Sequence, residues 1–163
     1  MITARLELRA LDDGDAGFIV ELLNDAAFLE YIGDRKVRTE GDALQYIARI
    51  RGDRAKNGFG LCAVTLRADG TRVGLCGLVR RETLPHVDVG FAFLPAYRRH
   101  GYGRESTLAV LGEAASLGLS PLLAICSPHN AGSRALLEQV GFRFEKMTVM
   151  PGQAAETCMY VRP

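Results

Sequence analysis

The sequence predicts a single α/β domain whose mixed sheet is mostly antiparallel, with one central parallel pair of strands flanked by helices. Its 163 residues are 48% hydrophobic, which suits one domain with a sizeable core. Apolar residues recur with the period of strands in some segments and with the period of helices in others. No repeat or linker interrupts them, so we expect one domain over residues 1–163.

The first third of the chain predicts a strand followed by helices. Residues 5–9 alternate apolar and charged side chains, as a half-buried strand does. The acidic run 12–15 then offers caps for a helix. Residues 25–38 look irregular, and we predict no helix or strand there. A capping box at 39–42, with Asp in place of the usual Glu, opens a second helix that ends near residue 57.

The middle of the chain predicts a hairpin and then a parallel connection. Residues 60–67 and 72–81 are rich in β-forming residues and flank Asp69-Gly70, which is a strong hairpin signal. A strand over 87–94 leads through a basic loop into a helix, and the wholly apolar run 122–126 is typical of a strand buried on both faces. A crossover of about two dozen residues makes these last two strands parallel.

The end of the chain predicts one more helix and two strands. Asn130 opens the helix, which extends to Gly141. Strands around 142–150 and 157–161 then complete the predicted sheet.

Charge and hydropathy exclude several classes of partner. The 20 Lys and Arg residues nearly balance the 19 Asp and Glu residues, for a formal net charge of +1. Such a chain has no overall field to hold a nucleic acid or an anionic membrane, and no apolar run approaches the roughly 20 residues of a membrane span. The first residues lead straight into alternating apolar positions, so we expect no signal segment, and the cysteines form no Cys-x-x-Cys pair or metal-ligand spacing. We therefore expect a cytoplasmic protein with reduced thiols and no bound metal.

The densest chemical signal is a basic loop between a strand and a helix, with the sequence Arg98-Arg99-His100-Gly101-Tyr102-Gly103. The start of a helix carries unpaired N–H groups and about half a positive charge, and glycine lets a phosphate approach the backbone. The loop has neither the Gly-Lys-Ser/Thr of a P-loop nor the third glycine of a dinucleotide fingerprint. It predicts a site for another phosphate-bearing ligand, or else a solvated charged turn.

Two motifs resemble those of the GNAT acetyltransferase superfamily. Arg98-x-x-Gly101-x-Gly103 is similar to its acetyl-CoA loop, and Asn130-x-x-Ser133 followed by Gly141-Phe142 is similar to its second signature. The run 87–91 resembles the ribosomal-protein N-terminal acetyltransferase branch. The likeness is strong over residues 87–142, and it implies the GNAT fold for the whole chain.

The resemblance implies acetyl-CoA as the cosubstrate. In the family the two parallel strands splay apart, and the cofactor arm lies in the gap between them. The basic loop would hold the pyrophosphate through backbone N–H groups, with Arg98 or Arg99 assisting. The pantetheine arm would bond to the strand backbone and to Asn130, which is equally expected to cap its helix. The implied cofactor-binding residues are Phe91, Ala92, Phe93, Arg98, Arg99, His100, Gly101, Tyr102, Gly103, Asn130 and Ser133.

The resemblance also implies two catalytic residues, Asp88 and Ser133. In the related branch an acid at the position of Asp88 often accepts the ammonium proton, and burial would raise its pKa toward a useful range. An exposed acid paired with Arg80 or Arg81 is the other interpretation. Many family members place a proton-donating Tyr where this chain has Leu137. We expect Ser133 to donate a hydrogen bond to the leaving sulfur, and a strand N–H to stabilise the oxyanion.

Cys126 and His129 form an alternative catalytic pair, which would act through an acetyl-cysteine. A Cys at the end of a buried strand is more often a small core residue, so we expect direct transfer in a ternary complex instead. His86 and His100 are expected to lie in solvent.

Together these features predict an N-acetyltransferase that moves the acetyl group of acetyl-CoA to a primary amine, either a protein N-terminus or a small molecule. The alternatives are a coenzyme A binding or sensor module, and an acyltransferase that uses another acyl-CoA or a hydroxyl acceptor. Because most acids lie in the first 60 residues, a cationic acceptor is expected.

Two segments are expected to choose the acceptor: residues 25–38, with Phe28, Tyr31 and Asp34, and the loop 147–155. As in other members of the superfamily, a homodimer is also considered, with the final strand pairing at a sheet edge or through the C-terminal segment.

Overall fold

The structure is a computed structural model that describes all 163 residues. Its seven strands are β1 (Leu6–Arg9), β2 (Leu61–Leu66), β3 (Arg72–Val79), β4 (Asp88–Phe93), β5 (Leu122–Cys126), β6 (Arg143–Val149) and β7 (Glu156–Arg162). They form one sheet in the order β1-β2-β3-β4-β5-β7-β6. Only β4 and β5 run parallel, and every other neighbouring pair is antiparallel. The predicted mixed sheet is therefore confirmed.

Five α-helices accompany the sheet: α1 (Ala16–Leu23), α2 (Ala26–Tyr31), α3 (Glu40–Asn57), α4 (Tyr102–Ser116) and α5 (Ala131–Gln139). Helix α2 corrects the prediction that 25–38 has no helix. The Asp25 carboxylate accepts a hydrogen bond from the Phe28 N–H and so caps α2. With six residues, α2 is too short to leave a periodic apolar pattern in the sequence.

Helix α3 begins where its capping box predicted. The Thr39 hydroxyl accepts from the N–H of Asp42 at 3.1 Å, and the Asp42 carboxylate accepts from the N–H of Thr39 at 2.9 Å. Each side chain satisfies a backbone donor that the first turn leaves unpaired. Gly58 ends the helix in the left-handed conformation with φ of 80°, which glycine adopts at little cost.

Helices cover both faces of the sheet. Helices α4 and α5 pack on one face, where Val110 and Leu137 are buried. Helices α1, α2 and α3 pack on the other face, where Ile47 is buried. Successive side chains of β4 point to opposite faces, so Val89 joins the first cluster and Ala92 packs against the second. The side chains of β4 thus face both helical layers in alternation.

Strands β4 and β5 are joined only where they begin. The Leu123 N–H donates to the C=O of Val87 at 2.9 Å, and Asp88 and Leu123 form the single register pair between the two strands. Beyond that point β4 stays paired with β3 through Phe93, and β5 stays paired with β7 through Cys126. The sheet therefore opens between β4 and β5 toward their carboxyl ends.

The last strand lies inside the sheet. Strand β7 pairs with β5 on one side and with β6 on the other, so its backbone groups are already used. The expectation that this strand pairs with a second copy at a sheet edge is therefore wrong. The edge strand on this side of the sheet is β6, in which Phe144 and Val149 are each about half exposed.

A buried ion pair fastens the start of α1 to the sheet. Asp15 is fully buried, and its carboxylate accepts two 2.8 Å hydrogen bonds from Arg9 and one from Arg72. Burial alone would raise the Asp15 pKa, but these bonds and one from the Asp12 N–H outweigh it and lower the pKa to about 2. The ionised carboxylate therefore stabilises the fold at neutral pH.

Replacing Asp15 with Asn should destabilise the protein by about 2–3 kcal/mol at pH 7, since both arginines lose their anionic partner. Because the folded pKa is depressed, this contribution is complete above the unfolded pKa of about 4 and disappears as pH falls through about 2. Denaturant unfolding of both proteins between pH 7 and pH 2 measures this difference. Asp13→Asn is the control, because Asp13 makes only an exposed pair with Arg51 and should cost under about 1 kcal/mol.

Candidate active site

The first turn of α4 presents a row of free backbone donors. None of the six N–H groups from Arg99 to Arg104 donates to a protein acceptor, and no side chain caps the helix. Gly101 turns the chain into the helix with φ of 80°, and Arg99 has φ of 62°. Unpaired N–H groups at a helix start attract anions. The predicted loop therefore carries an exposed donor array suited to a pyrophosphate.

Arg98 and Arg99, the two arginines expected to assist, differ in what they contact. Arg98 donates from Nε to the C=O of Phe93 at 2.9 Å and forms a short ion pair with Asp25. It thus ties the loop to β4 and to the start of α2. The exposed Arg99 side chain makes no hydrogen bond or ion pair. Of the two, Arg99 is the one whose guanidinium is free to meet a phosphate.

Arg5 braces the loop from the N-terminal segment, and nothing in the sequence pointed to it. Its guanidinium donates to the C=O of His100 at 2.9 Å, pairs with Glu105 at 2.8 Å and lies 4.7 Å from the Tyr102 ring centroid. The His100 ring stacks on Tyr102. The side chains of His100 and Tyr102 thus shape the loop, so these two residues offer a ligand mainly their backbone N–H groups.

Strand β4 directs alternate backbone groups into the gap. The Leu94 N–H bonds to Val73 of β3, so the backbone of Ala92, two residues earlier, also points toward β3. The backbone groups of Phe91 and Phe93 point the other way, into the gap. Ala92 was predicted to bond the cofactor arm, and this geometry corrects that prediction.

The opposite wall of the gap is the start of α5. Asn130 accepts a hydrogen bond from the Ser133 N–H at 3.0 Å, which confirms its role as a helix cap. The Ser133 side chain opposes the rise in the pKa of the Cys126 thiol, which lies at the end of β5. Leu137 is buried in the core. Ser133 is therefore the hydroxyl that the first turn of α5 places near the end of β5.

Gly103 is the point where the two helices and β4 meet. A Cβ built on it would lie 2.7 Å from Cδ1 of Leu136 and 3.6 Å from the Phe93 ring. Gly103 therefore lets α4 and α5 pack closely beside β4, in addition to leaving its own N–H open.

Asp88 is buried at the closed end of the gap. It is 1% exposed, and both carboxylate oxygens accept from Nε of Arg81 at 3.0–3.1 Å. Burial raises the pKa of Asp88, although Arg81 opposes the shift. The pairing with Arg81 agrees with one sequence interpretation, but the exposed surface acid of that interpretation is wrong. Asp88 is a carboxylate poised to take a proton nearer neutral pH than an exposed Asp.

A family model for the acetyltransferase (GNAT) domain matches residues 5–143. The chain belongs to the GNAT acetyltransferase family. The uncharacterized N-acetyltransferase YnaD of Bacillus subtilis (strain 168) is 27% identical over 144 residues, which are 88% of this chain and 82% of YnaD.

Solved structures share the GNAT fold. A GNAT-family acetyltransferase from Bacillus anthracis has a TM-score of 0.82 at 22% identity, over 99% of this chain and 96% of its own. RimL, a ribosomal L7/L12 α-N-protein acetyltransferase solved with coenzyme A, has a TM-score of 0.85 at 16% identity, over 99% and 96%. At these identities the likeness shows the fold alone.

GNAT acetyltransferases take their acetyl group from acetyl-CoA, and the donor array of this GNAT domain fits that cosubstrate. Six open N–H groups lie at a helix start, and the exposed Arg99 has no partner. Beside them, a backbone edge opens between two parallel strands. This set suits a long ligand with a phosphate-rich end and a narrow polar arm.

Cys126 is poorly suited to act as a nucleophile in this GNAT domain. Burial raises the pKa of its thiol to about 11, so very little thiolate exists at neutral pH. His129 is exposed and makes no side-chain bond to it. His86 and His100 are also exposed, as expected.

Replacing Cys126 with Ala should lower kcat by less than about threefold, because direct transfer needs no enzyme nucleophile. Steady-state kinetics with coenzyme A binding measured in parallel checks this. Abolished turnover with unchanged binding would instead support the acetyl-cysteine route.

The residues expected to choose the acceptor have different surroundings. Phe28 is buried in the core, so it does not line a pocket as predicted. Tyr31 is half-buried, and Asp34 forms an exposed 2.8 Å ion pair with Arg38. Of the loop 147–155, Met150 is buried against Leu123, while much of the remainder is exposed.

Two further features bear on function. No three His, Cys, Asp or Glu side chains come together in a group that could hold a metal ion. None of the helices combines the length and the apolar character that a membrane crossing requires.

Proposed function

We propose that the protein transfers the acetyl group of acetyl-CoA to a primary amine by direct attack in a ternary complex. The observation that carries this proposal is the row of six free N–H groups at the start of α4, directly beside the opening between β4 and β5. Acetyl-CoA supplies the activated acetyl group, and the chain's residues bind it, orient it and move the proton.

The cofactor residues act mainly through their backbone. The N–H groups from Arg99 to Arg104 hold the pyrophosphate, and the Arg99 guanidinium adds charge. The backbone groups of Phe91 and Phe93 bond the pantetheine arm, as an added strand does at an open sheet edge. A strand N–H in the gap stabilises negative charge on the acetyl oxygen. Arg98 positions the loop through Asp25 and Phe93.

Asp88 and Ser133 handle the proton and the leaving sulfur. An amine attacks only when neutral, so Asp88 accepts the ammonium proton, directly or through water, helped by its raised pKa. The Ser133 hydroxyl donates a hydrogen bond to the departing sulfur. The serine hydroxyl is a poor acid because its pKa is high. A hydrogen bond from it suffices, because thiolate is a stable leaving group.

Two acceptor types fit the chemistry: a protein N-terminus and a small-molecule amine. RimL acts on the α-amine of a ribosomal protein, which favours testing N-terminal peptides first. A coenzyme A module without turnover is less consistent with a buried acid at the closed end of the gap.

Thiol release from acetyl-CoA tests the proposal, with N-terminal peptides, amino acids and small amines as acceptors. The expected result is release that depends on a free amine, with an acetyl amide as the product. Peptides with a blocked N-terminus and hydroxyl analogues of the amines are the matched controls. Tight coenzyme A binding without release, or release with hydroxyl analogues alone, would contradict it.

A further inference from the structure

The Arg5 side chain reaches the basic loop from the segment just before β1. Its Nη1 donates to the C=O of His100 at 2.9 Å, and its guanidinium lies 4.7 Å from the ring centroid of Tyr102. Between these two residues, a Cβ built on Gly101 would lie only 3.2 Å from Nη2 of Arg5. One guanidinium therefore packs against three consecutive loop residues, and glycine at position 101 leaves room for it.

The first turn of α4 fixes Arg5 in return. The Glu105 carboxylate accepts from the N–H of Arg5 and from its Nε, both at 2.8 Å, and from the Thr3 hydroxyl at 2.6 Å. The Glu105 side chain is only 17% exposed, whereas that of Arg5 is 50% exposed. Because the backbone and the side chain of Arg5 both bond to one carboxylate, the guanidinium has a defined position although it lies at the surface.

The bond from Arg5 determines where the Gly101 N–H points. The peptide between His100 and Gly101 is trans, since the only cis peptide bond precedes Pro121. In a planar trans peptide the C=O of one residue and the N–H of the next point in opposite directions. Arg5 holds the His100 C=O on its own side, so the Gly101 N–H points away from Arg5. That N–H has no acceptor within the protein and belongs to the donor array at the start of α4.

A second peptide of the loop is held in the same way. Nδ1 of His100 lies 2.7 Å from the C=O of Arg98, and because a carbonyl can only accept, Nδ1 donates and the Arg99 N–H points the opposite way. Arg99 has φ of 62°, which a non-glycine residue keeps only when its neighbours hold it. The His100 ring stacks on Tyr102, the ring that Arg5 contacts. The directions of two free N–H groups therefore depend on contacts made on the opposite side of the loop.

We propose that Arg5 is a positioning residue for the cosubstrate: by holding the His100 C=O, it keeps the Gly101 N–H directed at the pyrophosphate before acetyl-CoA binds. The inference rests on the proposed function, because it takes the start of α4 as the pyrophosphate site. Donors that are already in place need no ordering when the ligand arrives, so less binding free energy is lost. Without Arg5 the peptide can rotate, since glycine adopts positive and negative φ about equally well.

Substitutions at two residues of opposite charge test this role. Arg5→Gln removes a positive charge and the bond to His100, and Glu105→Ala removes a negative charge and releases Arg5. If charge alone mattered, the loss of Glu105 would strengthen the binding of an anion at the start of α4. We expect each substitution instead to weaken coenzyme A binding roughly 5- to 30-fold, because each leaves the loop peptide unheld. The double variant should bind about as weakly as either single variant.

Calorimetric titration with coenzyme A measures these affinities, and thermal unfolding checks that each variant is folded. Arg67→Gln is the control with the same charge change as Arg5→Gln, since Arg67 bonds the carbonyls of Thr3 and Ala4 but not the loop. Its affinity should change less than about twofold. In steady-state kinetics Arg5→Gln should raise the KM for acetyl-CoA, while kcat at saturating acetyl-CoA stays within about twofold of the wild-type value.

The positioning role and the proposed function fail in different ways. Unchanged coenzyme A affinity in Arg5→Gln, or tighter binding in Glu105→Ala, would overturn the positioning role. A fall in kcat as large as the rise in KM would also overturn it, because it would indicate general damage to the site. Those results leave the proposed function standing. Absence of coenzyme A binding by the wild-type protein would overturn both, whereas binding without thiol release from any amine would overturn only the acetyl transfer.

Discussion

Replacing Asp88 with Asn should lower kcat roughly 100-fold or more at neutral pH, while coenzyme A binds as before. The substitution keeps the size of the side chain but removes the group that accepts the ammonium proton, a contribution typically of 10²- to 10⁴-fold. Asp88 lies at the closed end of the gap, away from the phosphate loop. Steady-state kinetics, with coenzyme A affinity from calorimetry, measure both quantities.

The pH dependence gives a second, independent readout of Asp88. Its pKa is raised by burial, so the wild-type rate should fall as the carboxylate becomes protonated at acid pH. The Asp88→Asn variant should not show this fall in rate caused by protonation of Asp88. Its rate should rise toward high pH, because the amine then loses its proton without help from the protein. An unchanged profile would assign Asp88 a structural role.

Stability separates the catalytic role from a structural one. Because the folded pKa of Asp88 lies above the unfolded value, the ionised carboxylate destabilises the fold as pH rises through that range. The neutral Asn removes this cost, and Arg81, about one-third exposed, can be hydrated. Unfolding at pH 7 should therefore show little loss. A marked drop in stability that accounts for the lost activity would contradict the catalytic assignment.

Replacing Gly103 with Val should weaken coenzyme A binding roughly 10- to 100-fold. The new methyl groups would cover N–H groups at the start of α4 that hold the pyrophosphate, and charge-assisted hydrogen bonds contribute about 1.5–3 kcal/mol each. Calorimetric titration of coenzyme A measures the effect. Unchanged affinity would remove the phosphate site from this turn.

A side chain at position 103 would also clash with Leu136, so a second substitution is needed to separate this packing effect from the loss of binding. The added Cβ would approach Cδ1 of Leu136 to 2.7 Å, and Leu136→Ala opens that space. The Gly103→Val, Leu136→Ala double variant should remain folded and still bind coenzyme A weakly, whereas Leu136→Ala alone should bind nearly as the wild type does. Recovery of affinity in the double variant would show that α5 packing, and not access to the backbone, explains the loss.

The elements that the sequence predicts well have local chemical signals. The Thr39 box, the Asp69-Gly70 hairpin and the crossover from β4 to β5 depend on neighbouring residues or on segment length. Helix α2 has no such pattern, because its six residues make fewer than two helical turns. The interior position of β7 depends on long-range pairing with β5 and β6, which the alternation of its own residues cannot determine.

The cofactor loop was predictable because its function lies in one contiguous stretch, and the Arg98-x-x-Gly101-x-Gly103 motif marks it. The contacts that hold the loop in place were not predictable, because they join residues far apart in the sequence. Arg5 contacts His100 across 95 positions, and Arg98 contacts Asp25 across 73.

A crystal structure of the protein with coenzyme A tests the central claim most directly. That claim is that the open N–H groups of α4 and the gap between β4 and β5 form one cofactor site. We expect pyrophosphate oxygens roughly 2.7–3.2 Å from N–H groups between Arg99 and Arg104, and the pantetheine arm beside the backbone of Phe91 and Phe93. Phosphates bound elsewhere, or a gap left without the arm, would contradict the account.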